Sequence, residues 1–172
     1  MAAEWWFYHI ERTSLEAAVA PLLEKCLERK WRVVVVGEPP TLAHLDAALW
    51  TLRSDSFLPH GLEGKDSDRQ PVLLAQTAAP ENGARVAMLL DGADADGEAF
   101  ERCLVVFNGA DEAVRTKARA QYKAATNAGR VARYFQQTAS GASGWVEKTP
   151  ARPQGESAQG GQGSSEGGEV RS

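Results

Sequence analysis

Arg115, Arg119 and Lys123 recur every four residues, with Lys117 among them and Arg130 and Arg133 just beyond, in a stretch that has no acidic residue between Glu112 and Glu147. Residues four apart share one side of a helix, so the first three would form a single cationic row. Such a row can hold an anion, arginine through a two-pronged pair of hydrogen bonds and lysine as a point charge. Like charges at this spacing oppose one another by roughly 0.2–0.5 kcal/mol per pair. A solvated basic face is the plain alternative, but an ordinary surface helix interleaves both signs. The chain as a whole carries a formal charge of −4, so the rest of it carries −10 (−4 minus +6). A basic island on an acidic body attracts an anionic partner while the remaining surface repels most anions.

Other chemistry finds little support in the residues. Gly37-Glu38-Pro39-Pro40 follows a run of four valines, where a nucleotide-binding loop would sit, but it fits neither glycine-rich phosphate pattern. Two prolines and a carboxylate would impede the close backbone approach a phosphate needs. The acidic stretch Asp91 to Glu98 resembles a calcium loop only superficially. With Gly97 as the turn glycine, the first and twelfth ligand positions would fall on Gly92 and Cys103. His9, His44 and His60 lack metal-ligand spacing and read as packing or surface residues. Cys26 and Cys103 read as two reduced core thiols of a cytoplasmic protein. No enzyme, cofactor or metal site is expected.

The elements that must position the basic row alternate. Trp5 to Ile10 reads as a strand. A capping box at Thr13 and Glu16 opens a helix whose apolar residues run from Leu15 to Leu27, with Pro21 predicting a kink or a restart. Trp31 to Val36 reads as a strand buried on both faces, and Leu42 to Trp50 as a short helix with Leu42, Leu45 and Leu49 inward. Val72–Gln76, Val86–Leu90 and Cys103–Phe107 are further strands. The basic helix spans Asp111 to Ala128 and stops before Gly129, and Arg130 to Gln137 closes the series. This alternation predicts a mostly parallel sheet covered on both faces.

Length and composition suit one domain with a real core, and no apolar run reaches the ~20 residues of a membrane helix. The N-terminus lacks the basic start and apolar stretch of a secretory signal. From Thr149 to Ser172 the chain turns to Gly, Ser, Gln, Pro and Glu, which predicts a disordered tail behind a domain spanning residues 1–148.

Between Leu45 and His60 lies a short helix and then a loop that carries Trp50, Phe57 and Leu58 in polar company. Apolar residues on a loop usually tuck beneath it; the alternative is a partly exposed aromatic wall of the kind that anchors a peptide. The combination of Leu49-Trp50 with Ser56-Phe57-Leu58-Pro59-His60 has a known counterpart. Together with Ala118–Ala125 on the basic helix, Tyr134–Lys148 and Phe7–Val36, it resembles the chi subunit of the bacterial DNA polymerase III holoenzyme.

That resemblance implies an accessory, non-catalytic component of the clamp loader with a three-layer α/β/α sandwich, similar to nucleotide-binding folds but without their phosphate loop. It implies two partners: the acidic C-terminal tail of single-stranded-DNA-binding protein, which ends in aspartates, a proline and a terminal phenylalanine, and a small loader subunit called psi. Carried over by position, Trp50 and Phe57 match aromatic residues near the peptide pocket. Arg115, Arg119, Tyr122 and Lys123 match its helix residues, with Arg119 as the clamp on the terminal carboxylate. Arg115 stands where the family has a lysine. A family arginine further along has no counterpart near Thr126 and Asn127, leaving Arg130 to compensate, and Asn108 stands where the family lines the pocket with an apolar residue. The rival reading is a direct single-stranded nucleic-acid-binding module that uses residues 111–128 with Trp50 and Phe57 as stacking platforms. A degenerate nucleotide-dependent enzyme is a third.

Overall fold

The computed structural model describes residues 3–51, 58–139 and 144–150; Phe57 and the stretch 151–172 lie outside them. Along the chain run β1 (Glu4–Ile10), α1 (Leu15–Glu28), β2 (Val33–Val36), α2 (Pro39–Thr51), β3 (His60–Leu62), β4 (Val72–Ala75), β5 (Val86–Leu89), β6 (Arg102–Asn108), α3 (Glu112–Asn127), β7 (Ala132–Gln137) and β8 (Trp145–Glu147). The strands form one eight-stranded sheet in the order β3-β4-β2-β5-β6-β1-β7-β8. Every pairing is parallel except β7 with β8.

The valines of β2 show why the sheet is covered twice. Successive strand side chains alternate in direction. Val33 and Val35 join a core with Leu23 and Cys26 of α1 and Leu42, Leu45 and Leu49 of α2. Val34 and Val36 join the opposite core with Ala118 and Ala125 of α3. Helices α1 and α2 therefore share one face, and α3 covers the other. This is the α/β arrangement with helices on both faces that the alternation predicts.

Several local expectations need correction. The N-cap of α1 is Ser14, not Thr13: Ser14 Oγ accepts from the Ala17 N–H at 3.1 Å. Thr13 Oγ1 instead accepts from Gln137 Nε2 at 2.8 Å. Pro21 causes no restart, since α1 is one helix from Leu15 to Glu28. An interior proline costs about 3 kcal/mol, and burying Leu22 and Leu23 beyond it returns ~1.5–3 kcal/mol each. Helix α2 starts at Pro39, because proline suits the first turn of a helix, where an N–H has no partner anyway. Strands β3 and β8 were not expected, and β7 begins two residues later than Arg130.

The basic helix is bounded as its sequence suggests. Asp111 Oδ1 accepts from the Ala113 N–H at 3.1 Å, and Gly129 takes the left-handed conformation (φ 76°) just past the helix. On the α1 face the rightmost strands are laced by stacked cations. The Arg102 guanidinium lies 4.4 Å from the Trp31 ring and 5.4 Å from the Trp6 ring, and Arg133 lies 5.0 Å from Trp6. Cys26 and Cys103 are buried in opposite cores, and burial pushes their thiols up to about 11 and about 12. Strand β8 hands the chain back to β7 through Thr149, whose Oγ1 accepts from the Tyr134 N–H at 3.0 Å.

Candidate functional site

Helix α3 rests on the sheet through Ala118, Gln121 and Ala125, small or tied-down residues that let it lie close. Gln121 Nε2 donates to the Ala93 carbonyl at 2.9 Å. The rest of the helix turns its cations outward. Arg119 and Lys123 are exposed and, among the described residues, have no ion-pair partner. Arg115 is half-buried, and its Nη1 donates to the Gly109 carbonyl at 3.0 Å, which fixes the guanidinium over the β6–α3 turn. Tyr122 stands beside the row with its ring 5.4 Å from Phe7 and 6.3 Å from Tyr134.

Arg130 and Arg133 do not belong to this surface. Arg130 donates to Glu98 at 2.7 Å, so it is not spare to stand in for a residue missing near Thr126. Arg133 meets Glu147 with hydrogen bonds of 3.1 and 2.7 Å. The free positive charge of the basic window is thus concentrated on α3.

Beneath the row lies a pair that spacing alone did not reveal. His9 Nδ1 is 2.6 Å from Tyr134 Oη, and Nε2 is 3.7 Å from Glu11. The imidazole presses on Gly109, where a Cβ would come within 1.8 Å of Nε2. Burial lowers the His9 pKa; Glu11 opposes the shift, and Arg115 and Arg119 add to it. The Tyr134 phenol is raised by burial, with Arg119 pulling the other way. Both side chains therefore feel the arginines of α3. The signal was available in the alternation of β1: Trp5, Phe7 and His9 must share the face that α3 covers.

Trp50 lies elsewhere. It caps the end of α2 on the opposite face, 55% exposed, with its ring 4.7 Å from that of His60. His60 is buried, its Nδ1 2.7 Å from the Leu58 carbonyl and its Nε2 3.2 Å from Asp46 Oδ1. The structure brings Arg115, Arg119, Tyr122 and Lys123 together but does not bring Trp50 to them. Helix α2, which carries Trp50, packs on the face of the sheet opposite α3. Phe57 is outside the described residues. Asn108 occupies the strand-to-helix turn as expected, where its Oδ1 accepts from the Ala110 N–H at 2.9 Å.

Residues 2–133 match the family of the DNA polymerase III chi subunit, HolC. The chain belongs to that family. The match runs from β1 into β7 and so takes in both the basic row and Trp50. No curated protein matches the chain.

The turn after β2 offers little to a phosphate. Asp91 Oδ2 accepts from the Glu38 N–H at 2.8 Å, at the end of β2, and Pro39 and Pro40 have no N–H to offer. A carboxylate already takes the donor an anion would need. The cleft there, about 360 Å³, is lined by Glu38, Asp91 and Asp94 and would repel phosphate. The acidic loop is committed to the backbone as well: Asp96 Oδ1 accepts from the Glu98 N–H at 2.9 Å. Among the described residues no group of three or more His, Cys, Asp or Glu is placed to hold a metal, and no helix is long and apolar enough to cross a membrane.

Proposed function

We propose that this chi-family chain is a non-catalytic, cytoplasmic DNA-replication adaptor. It links the clamp loader, through psi where that subunit is present, to the acidic C-terminal tail of single-stranded-DNA-binding protein. The observation that carries this reading is the cationic row on α3, where among the described residues no carboxylate neutralises Arg119 or Lys123. Arg119 clamps the terminal carboxylate, Arg115 and Lys123 steer the aspartates, and Tyr122 offers a ring to the terminal phenylalanine. The fold is then a relative of the nucleotide-binding sandwiches whose phosphate position is closed by Asp91.

A short acidic peptide suits this surface better than a long polyanion, because the rest of the chain carries −10 (−4 minus +6). Calorimetric titration with free-acid and amidated peptides, beside a bare single-stranded oligonucleotide, tests the choice. Amidation is expected to cost on the order of 1.5–3 kcal/mol, the scale of a lost hydrogen bond to a charged group. Equal affinity for the two peptides, with tighter and steeply salt-dependent binding to the oligonucleotide, favours the nucleic-acid module instead.

A further inference from the structure

The anion surface contains a titratable ring that capture by arginines does not itself require. His9 lies one residue before the end of β1 with its side chain 15% exposed, beside α3. Among the described residues the following groups face it. Just past β1 comes Glu11; from β7 come the Tyr134 hydroxyl and Gln136, an uncharged amide that donates to Glu11. From β6 and the turn after it come Phe107 and Gly109, which carry no charge, and from α3 come Arg115 and Arg119.

We propose that His9 takes up a proton when an anionic ligand seats against Arg115 and Arg119, so that this surface holds its acidic partner more tightly as pH falls from about 7 toward about 5. The inference rests on the reading of α3 as the acidic-peptide site.

In the free protein burial is the chief reason the His9 ring stays neutral; Glu11 favours the imidazolium, and the field of Arg115 and Arg119 opposes it. Arg115 also keeps Nε buried without an acceptor among the described residues, which adds to the unmet demand for negative charge. A bound carboxylate cancels that field, so the imidazolium becomes easier to form. The Tyr134 contact permits the change: a neutral ring can share that proton either way, while a protonated ring donates from Nδ1 to Oη. The sign follows from linkage. The ligand raises the His9 pKa, so the extra affinity is fully present below the free-state value and absent above the bound-state value.

The full chain has three histidines, so their imidazole resonances can be followed individually by NMR. The probe is a synthetic free-acid peptide ending in aspartates, proline and phenylalanine. Saturation with it is expected to raise the His9 midpoint by about half a pH unit. Calorimetry is expected to show about two- to threefold tighter binding at pH 5 than at pH 8, since a half-unit rise in one midpoint allows about threefold at most. His9→Gln should abolish that pH dependence. Glu11→Gln, at an exposed site that does not threaten folding, should move the His9 midpoint downward. Binding that needs Arg119 yet is flat between these pH values, with His9 unmoved, overturns this inference and leaves the adaptor reading standing. Binding indifferent to Arg119→Ala overturns the adaptor reading, and this inference with it.

Discussion

Trp50 and Arg119 stand on opposite faces of the sheet, one at the end of α2 and the other midway along α3. In the adaptor reading, a short tail with its carboxylate at Arg119 lies along the α3 face, away from Trp50. Arg119→Ala is therefore expected to weaken peptide binding by about 1.5–3 kcal/mol, and Arg119→Lys nearly as much, since an ammonium cannot reproduce the planar fork. Trp50→Ala should change it by less than about 0.5 kcal/mol, and the double mutant should be additive. Calorimetry on the three variants decides; a Trp50→Ala loss above 1 kcal/mol in a folded protein would reject the separation of the two surfaces.

Gly109 has no room for a side chain, because a Cβ there would sit 1.8 Å from His9 Nε2. Gly109→Ala should force the imidazole off Tyr134 and destabilise the fold by about 1–3 kcal/mol, as overpacking generally does. Most of that cost should vanish in a His9→Ala background. Denaturant unfolding of the single and double variants measures it, and equal losses in both backgrounds would place the strain elsewhere.

The thiols offer a probe of the two cores. Burial raises Cys26 to about 11 and Cys103 to about 12, so neither is a thiolate at pH 8. A thiol reagent is expected to label no cysteine in the native protein at pH 8 and both in denaturant. Fast labelling of one thiol before unfolding would reveal local opening of its own face only, since the cores are separate.

Glu147 accepts hydrogen bonds from Arg133 and from Thr149, and those bonds, Arg133 foremost, hold its carboxyl down to about 2 from an ordinary 4.5. Because the folded value lies below the unfolded one, the stabilisation is fully present above about pH 5. It is lost as pH falls from there toward 2. Acid titration of Glu147→Gln should lack this part of the curve. Truncation after Pro150 keeps Thr149 Oγ1 on the Tyr134 N–H, whereas truncation after Lys148 removes it. The shorter chain also loses the Thr149 bond to Glu147 and should melt earlier, by the equivalent of about 1 kcal/mol for the Tyr134 bond alone; identical melting temperatures would show both bonds to be idle.

The parallel sheet was legible because its central strand is a bare run of valine, which only a doubly covered position explains. The limits of α3 were legible because Asp111 and Gly129 are different kinds of residue, each suited to one end of a helix. At the start of α1 two hydroxyls are adjacent, and spacing could not choose Ser14 over Thr13. Strands β3 and β8 are three residues long, too short for any periodicity to register. At the site, the charges of the row could be read from their spacing, but their surroundings could not. Whether a crossover helix lies above or below the sheet decides that Trp50 is remote and His9 is near, and no residue in α2 or α3 encodes that choice alone.

The sheet ends on both sides in a strand of only three residues, β3 on one edge and β8 on the other. A stub of that length offers a newcomer two or three backbone hydrogen bonds, too few to recruit another chain as a ninth strand. Crowded assemblies that hold many copies of a protein together run the hazard of sheets growing into one another. Here that route to a polymer is closed by geometry, and neighbours are left to approach over the helices, where side chains rather than backbone decide who may stay.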